Sequence, residues 1–239
     1  IQLNPSFADA HYNLGNTLRD LGKLKAAELS LRKAIEVNPK FAEAYNNLGS
    51  ILQDLNKLQE AELCAREAIQ LNPDYAEAHN NLGIILKDIG RLLEAELSLR
   101  KAIQLNPDYA EAHSNLGGIL EDLGKREEAI LHWTKAVQLK PKLDHIMLTL
   151  ANHLCYEKNY ELALKYLTRN KSSSCQILYL GCLLSLDREK EFHEKYLEIS
   201  KKNLCNADIG GIVQHANIIY GTKYISTFCN EAMKYVLID

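Results

Sequence analysis

The sequence predicts an all-α chain, a solenoid of stacked antiparallel helix pairs ending in a C-terminal helical cap. Three observations predict it. The string Leu-Asn-Pro recurs at Leu3-Asn4-Pro5, Leu71-Asn72-Pro73 and Leu105-Asn106-Pro107, with Val37-Asn38-Pro39 and Leu139-Lys140-Pro141 filling the other steps of a 34-residue period. Leu14-Gly15, Leu48-Gly49, Leu82-Gly83 and Leu116-Gly117 keep the same spacing, as do the alanines at 27, 61, 95 and 129 and at 34, 68, 102 and 136. Within each period the apolar residues fall at helical spacing in two runs separated by turn signals.

The elements follow in order. Ile1–Pro5 matches the tails 35–39 and 69–73, so residues 1–7 are expected to be the end of a truncated preceding repeat in a chain cut from a longer protein. Four regular repeats then occupy 8–41, 42–75, 76–109 and 110–143. In the repeat from Ala76, His79, Leu82, Gly83 and Leu86 form one helical stripe, and Gly90-Arg91 marks a turn. A second helix runs from about Leu93 to Leu105 with Ala95, Leu99, Ala102 and Ile103 inward, and Pro107 drives Asn106 out of the α region. Gly83 and Ala95 let the two backbones approach, at a helix-propensity cost of up to about 1 kcal/mol for the glycine. One hairpin cannot bury its own stripe, so neighbours must stack into a superhelix with a concave and a convex face.

Residues 144–171 form a degenerate fifth copy that keeps Leu150, Ala151, Leu154 and Ala163 in register but loses the closing proline. From Ser172 the period fails. Over 172–221 the sequence predicts a helix capped by Ser174 and ending near Ser185, then a charged helix capped by Asp187 and reaching about Lys202. Phe192, Tyr196, Leu197 and Ile199 mark the inner face of the second, and a third helix from about Asp208 to Tyr220 is expected to cover the end of the array. Residues 222–239 hold Phe228-Cys229-Asn230 and the strand-like run Tyr235-Val236-Leu237-Ile238, an extension that would lead into a further domain.

Composition excludes several classes. With 46% hydrophobic and 25% charged residues the chain is too apolar for disorder, and no apolar run is long enough to span a bilayer. Residues 1–143 carry 17 Lys and Arg against 20 Asp and Glu, and 144–239 carry 11 against 11, without the basic excess that nucleic-acid binding requires. Six cysteines without a CxxC pair read as reduced thiols, which points to a reducing, cytoplasmic compartment.

The spacing of Leu, Gly, Ala, Ala and Pro resembles the tetratricopeptide repeat over about 170 of the 239 residues. The resemblance implies a right-handed superhelix that binds protein. One departure is that Leu31, Ala65 and Leu99 stand where the second helix has its aromatic, and only Trp133 keeps one. Within the family the wording Asn4 to Gly15 is similar to the repeat arm of O-GlcNAc transferases, and the array is also similar to cyanobacterial proteins of this kind. Those continue into a glycosyltransferase, sulfotransferase or oxygenase domain, which makes a substrate-recruiting arm the alternative reading. A self-assembly module, with exposed terminal repeats stacking on another chain, is a further one.

On each first helix the second, sixth, ninth and thirteenth residues form a stripe roughly opposite the buried one, so they are expected to line the concave face. Two of these positions are constant in the four copies: Asn13, Asn47, Asn81 and Asn115 at the sixth, and Asp20, Asp54, Asp88 and Asp122 at the thirteenth. The twelfth wanders through Arg19, Gln53, Lys87 and Glu121. Asn inside a helix is about 0.5 kcal/mol worse than Ala, and Asp in a last turn opposes the helix dipole, so local stability does not ask for either. A carboxamide can bond both the N–H and the C=O of an extended chain, which is peptide capture tolerant of sequence. The transferase resemblance implies a comparable asparagine ladder. Helices about 8–10 Å apart would meet roughly every third residue of an extended ligand, and four rungs would grip about ten residues with micromolar or weaker affinity. In the fifth copy Thr149 and Tyr156 take these places, so the ladder is expected to end there.

Nothing in the sequence points to catalysis or a cofactor. His11, His79 and His113 sit on the buried stripe with Tyr45 as their equivalent, and His132, His145, His153, His193 and His215 lack metal-ligand spacing. Charges alternating along the helices read as ordinary surface patterning.

Overall fold

A computed structural model describes residues 5–141, 143–168 and 172–201. The expected capping helix at 208–220 and the extension at 222–239 lie outside the described residues. Within them there are twelve α-helices and no strand: α1 (Pro5–Asp20), α2 (Leu24–Val37), α3 (Ala42–Asp54), α4 (Leu58–Leu71), α5 (Ala76–Ile89), α6 (Leu92–Leu105), α7 (Ala110–Asp122), α8 (Arg126–Leu139), α9 (Asp144–Tyr156), α10 (Tyr160–Leu167), α11 (Ser173–Ser185) and α12 (Glu189–Lys201). The chain divides into two compact units, Ile1–Lys140 and Pro141–Asp239.

In the first unit the helices pack in consecutive pairs, α1 with α2 through α7 with α8. The turn inside each pair needs one residue in the left-handed region: Gly22 (φ 71°), Asn56 (φ 58°), Gly90 (φ 88°) and Gly124 (φ 75°). Asparagine enters that region more cheaply than other side chains, which is why repeat two manages without a glycine. Gly90 N–H then bonds Lys87 O and Arg91 N–H bonds Leu86 O, both at 2.8 Å, closing the carbonyls of the helix end.

The turn between pairs is made by the Asn-Pro dipeptide. Asn38, Asn72 and Asn106 sit near φ −131°, −138° and −135°, outside the helical region as the following proline demands. Each Oδ1 then accepts the backbone N–H two residues on, at 3.1 Å for Asn38, 3.3 Å for Asn72 and 3.2 Å for Asn106, an Asx turn that aims the chain into the next first helix.

The core lies between the helices of a pair and the first helix of the next. Ala27, Ala61, Ala95 and Ala129 are fully buried, as are Ala34, Ala68, Ala102 and Ala136. Second helices pack on the following first helix, and α1, α3, α5 and α7 also touch in succession. The first helices therefore form the inner layer of this unit.

In the second unit α9 pairs with α10 and α11 with α12, while α11 also packs on α9 and α10. Met147, Leu150, Leu154, Leu167, Leu180, Leu183 and Phe192 are buried there. Two expectations are corrected. Ser172, not Ser174, caps α11, its Oγ accepting Cys175 N–H. Asp187 does not cap α12 but is the left-handed turn residue (φ 55°), matching Lys158 (φ 59°) in the preceding pair.

Candidate functional site

The eight residues singled out by the repeat all fall on the first helices, the inner layer. Asn13 is exposed, and Asn47, Asn81 and Asn115 are half-buried on the seams between successive first helices. There each donates to the repeat before it. Asn81 Nδ2 bonds Asn46 Oδ1 and Asn115 Nδ2 bonds Asn80 Oδ1, both at 2.9 Å. Asn47 Nδ2 makes two such bonds, to Tyr12 Oη at 3.1 Å and to Asn16 Oδ1 at 2.8 Å. Asn46 and Asn80 are only 4% exposed, so these bonds satisfy oxygens that would otherwise be buried at a cost of about 1–3 kcal/mol each. The sixth-position amide therefore has a role that the sequence reading missed: it sets the register between repeats. The dipeptides Asn46-Asn47 and Asn80-Asn81 were the available signal. In the second unit Thr149 instead returns its hydroxyl to His145 O of its own helix.

The aspartates divide similarly. Asp88 accepts Gln53 Nε2 at 2.6 Å and Asp122 pairs with Lys87 Nζ at 3.2 Å, so the twelfth residue of one repeat reaches the thirteenth of the next. At these two junctions the varying twelfth position holds a long side chain that donates, Gln53 in one and Lys87 in the other. Asp20 lies 3.7 Å from Arg19 on its own helix, and Asp54 is exposed.

The charges of the second helices are not ordinary surface patterning, and that expectation is corrected. Glu28 is bonded by Arg32 one turn on and by Lys57 of the next repeat, and Arg32 also reaches Glu60. The same four-part unit recurs 34 residues later as Glu62, Arg66, Arg91 and Glu94, and again as Glu96, Arg100, Lys125 and Glu128. Burial alone would raise the Glu28 and Glu96 carboxyls, but hydrogen bonds from Lys57 and Arg32, and from Lys125 and Arg100, hold both below the usual carboxylate range. In the fourth repeat Ile130 and Thr134 stand where Glu and Arg should be, so the series stops. Sequence reading saw the charges helix by helix and not across the period.

The histidines also do more than pack. His79 Nε2 donates to Pro73 O at 3.0 Å, and His113 Nε2 does the same to Pro107 O. His113 Nδ1 must then accept, and His132 Nδ1 donates to it at 2.9 Å. Burial pushes the His132 ring down to about 4, with His113 adding to the effect. No group of three or more His, Cys, Asp or Glu side chains placed to hold a metal ion occurs among the described residues, and no described helix is long and apolar enough to cross a membrane.

Repeated hairpins with an inner layer of first helices, joined by recurring polar seams, define a helical-repeat solenoid. A TPR-repeat profile matches residues 15–56 and 85–124, and tetratricopeptide-repeat profiles match 42–75, 64–96 and 110–143. The chain belongs to the tetratricopeptide-repeat family. Among curated proteins none matches the sequence. Similar solved structures include PilF of Pseudomonas aeruginosa (22% identity, 88% of this chain and 98% of that one, TM-score 0.71) and YrrB, a TPR protein with an unusual peptide-binding site (22%, 75% and 90%, 0.54). The first TPR of Spaghetti (RPAP3), solved with the HSP90 peptide SRMEEVD, is 25% identical over 52% of this chain and 98% of its own, with a TM-score of 0.50.

Proposed function

We propose that this chain is a protein-interaction scaffold that holds an extended polypeptide along the inner layer of its four regular repeats, through Asn13, Asn47, Asn81 and Asn115 with Asp20, Asp54, Asp88 and Asp122 alongside. The observation that carries the reading is the use of the amide hydrogens. A carboxamide has two donor hydrogens and an acceptor oxygen. Asn81 and Asn115 each donate one bond to the neighbouring repeat, which fixes the plane of the amide and leaves its second hydrogen for an incoming carbonyl. An anchored amide loses little rotamer entropy on binding, so preorganisation favours capture. At Asn47 both hydrogens already have acceptors, so this rung contributes less than the two after it. YrrB and the RPAP3 domain support the reading in that proteins of this fold take peptides.

The test replaces Asn81 and Asn115 with Ala and titrates unstructured peptides of about ten residues by fluorescence anisotropy, with circular dichroism on the same samples. Affinity should fall by about tenfold or more, corresponding to the loss of one or two net hydrogen bonds. Unchanged binding in a variant with undiminished helicity refutes it.

A further inference from the structure

In the second unit the Sγ atoms of Cys155 and Cys182 lie 3.1 Å apart. Cys155 is the twelfth residue of α9 and Cys182 the tenth of α11, and the two helices pack on one another across α10. A disulfide bond measures about 2.05 Å, so closure asks the sulfurs to approach by roughly 1 Å, which side-chain torsions can supply. Without a CxxC pair the sequence alone reads as six reduced thiols; these two are 27 positions apart and are brought together only by the helix packing.

We propose that Cys155 and Cys182 are a reversible disulfide site, closed by thiol–disulfide exchange with a small-molecule disulfide, that fastens α9 to α11. Accessibility sets the order of events. Cys182 is buried and Cys155 is half-buried, so the oxidant meets Cys155 first. The Cys155 thiolate attacks one sulfur of the small disulfide, forming a mixed disulfide and releasing one small thiolate. The Cys182 sulfur, already in contact, gives up its proton and attacks Cys155 Sγ. This forms the Cys155–Cys182 bond, breaks the mixed disulfide and releases the second small thiolate. Two protein thiols are oxidised, one small disulfide is reduced to two thiols, and the two protons leave with them. The side-chain hydrogen bond from Cys182 holds the Cys155 thiol below its ordinary pKa, which suits it to attack first, and the same bond, with burial, pushes Cys182 up.

The bond would change the mechanics of the array. In a helical-repeat stack each pair is held only by its neighbours, so a covalent tie between the first helices of consecutive pairs locks a separable junction for as long as the disulfide stays oxidised. Cys175, the other cysteine of α11, is buried beside Ser172, whose Oγ accepts its N–H, and takes no part.

The test incubates the full chain with oxidised glutathione, blocks remaining thiols, and maps the disulfides by proteolysis and mass spectrometry, alongside the same reaction in denaturant. The expected result is an intramolecular Cys155–Cys182 link, reversed by reductant, four of the six thiols still free, and closure about tenfold or more faster in the folded chain than in the denatured one, because the fold raises the effective concentration of the pair. Cys182→Ser should stop at the mixed disulfide on Cys155. A wild-type chain that retains glutathione on Cys155, links either cysteine elsewhere, or closes no faster than when denatured overturns the proposal.

Discussion

Gly117 in α7 faces the Trp133 ring in α8. A Cβ added at Gly117 would stand 2.5 Å from Nε1, 2.6 Å from Cδ1 and 2.9 Å from Cε2 of the indole, whereas at Gly49 the nearest atom would be Ala61 O at 3.3 Å, because Ala65 holds the facing position there. Both glycines are inside helices, so alanine brings each the same propensity gain of about 1 kcal/mol. At Gly49 only a small shift opposes it, and Gly49→Ala should lie within about 1 kcal/mol of the parent. At Gly117 three ring atoms must move in a packed core, and overpacking of this kind costs about 1–3 kcal/mol or more. Gly117→Ala should therefore be about 2 kcal/mol less stable than Gly49→Ala. Urea unfolding followed by helical circular dichroism measures the difference, and Trp133 is the single tryptophan of the chain and reports on repeat four. The decisive control reverses the sign. In a Trp133→Ala background the ring is gone, and adding Gly117→Ala should stabilise. If Gly117→Ala is as stable as Gly49→Ala, or destabilises equally with and without the indole, the close-approach reasoning is wrong.

Other outcomes are expected from the polar seams. Glu96→Gln removes the charge at the centre of an ion-pair unit, from a side chain only 10% exposed, and should cost about 1 kcal/mol, with a weaker dependence of stability on salt than the parent shows in urea melts at low and high ionic strength. His132 is depressed to about 4 in the fold against roughly 6.5 unfolded, so the unfolded chain takes up its proton first. The stability that the neutral His113–His132 pair contributes is complete above about pH 6.5 and is lost as the pH falls from there toward about 4. With the ring partly open to solvent, the loss at pH 5 should be about 1 kcal/mol, and His132→Gln should flatten the profile of urea midpoints between pH 7.5 and 5. Glu28 and Glu96, held below the usual carboxylate range, contribute in a lower window, present above about pH 4.5 and lost below it. Acid unfolding of a Glu28→Gln, Glu96→Gln variant should accordingly be less steep there.

The period, with Gly90-Arg91 as the turn inside a pair and the proline that closes each repeat, was enough to place the helices of the four regular repeats. Turn and proline each act within four or five residues, a range over which sequence and geometry are tightly coupled. Asn46, Asn80 and the four-part charge unit were not legible, because their partners sit 28 to 35 residues away and are identified only once the repeats are stacked. The same limit hid His113 with His132 and Cys155 with Cys182. Where the period fails, propensity had nothing to correct it. Asp187 looks like a helix cap, yet the turn needs a left-handed residue there and outranks the cap. The candidate rungs were found by their constancy across copies, a signal that marks what repeats share without saying whether stacking or ligand requires it.

The charged units of the second helices present the same Glu and Arg to each of the three junctions among the regular repeats, where a Lys or Arg and a Glu of the next repeat answer them. Remove residues 42–75 and Glu28 with Arg32 would face Arg91 with Glu94, the chemistry they already face in Lys57 and Glu60. Duplicate them and Glu62 with Arg66 would face Lys57 with Glu60, ion pairs of the same kind as those at the existing joints. An array wired this way can gain or shed whole hairpins through recombination without negotiating a new contact, so its reach is heritable as a count of units rather than as a designed length.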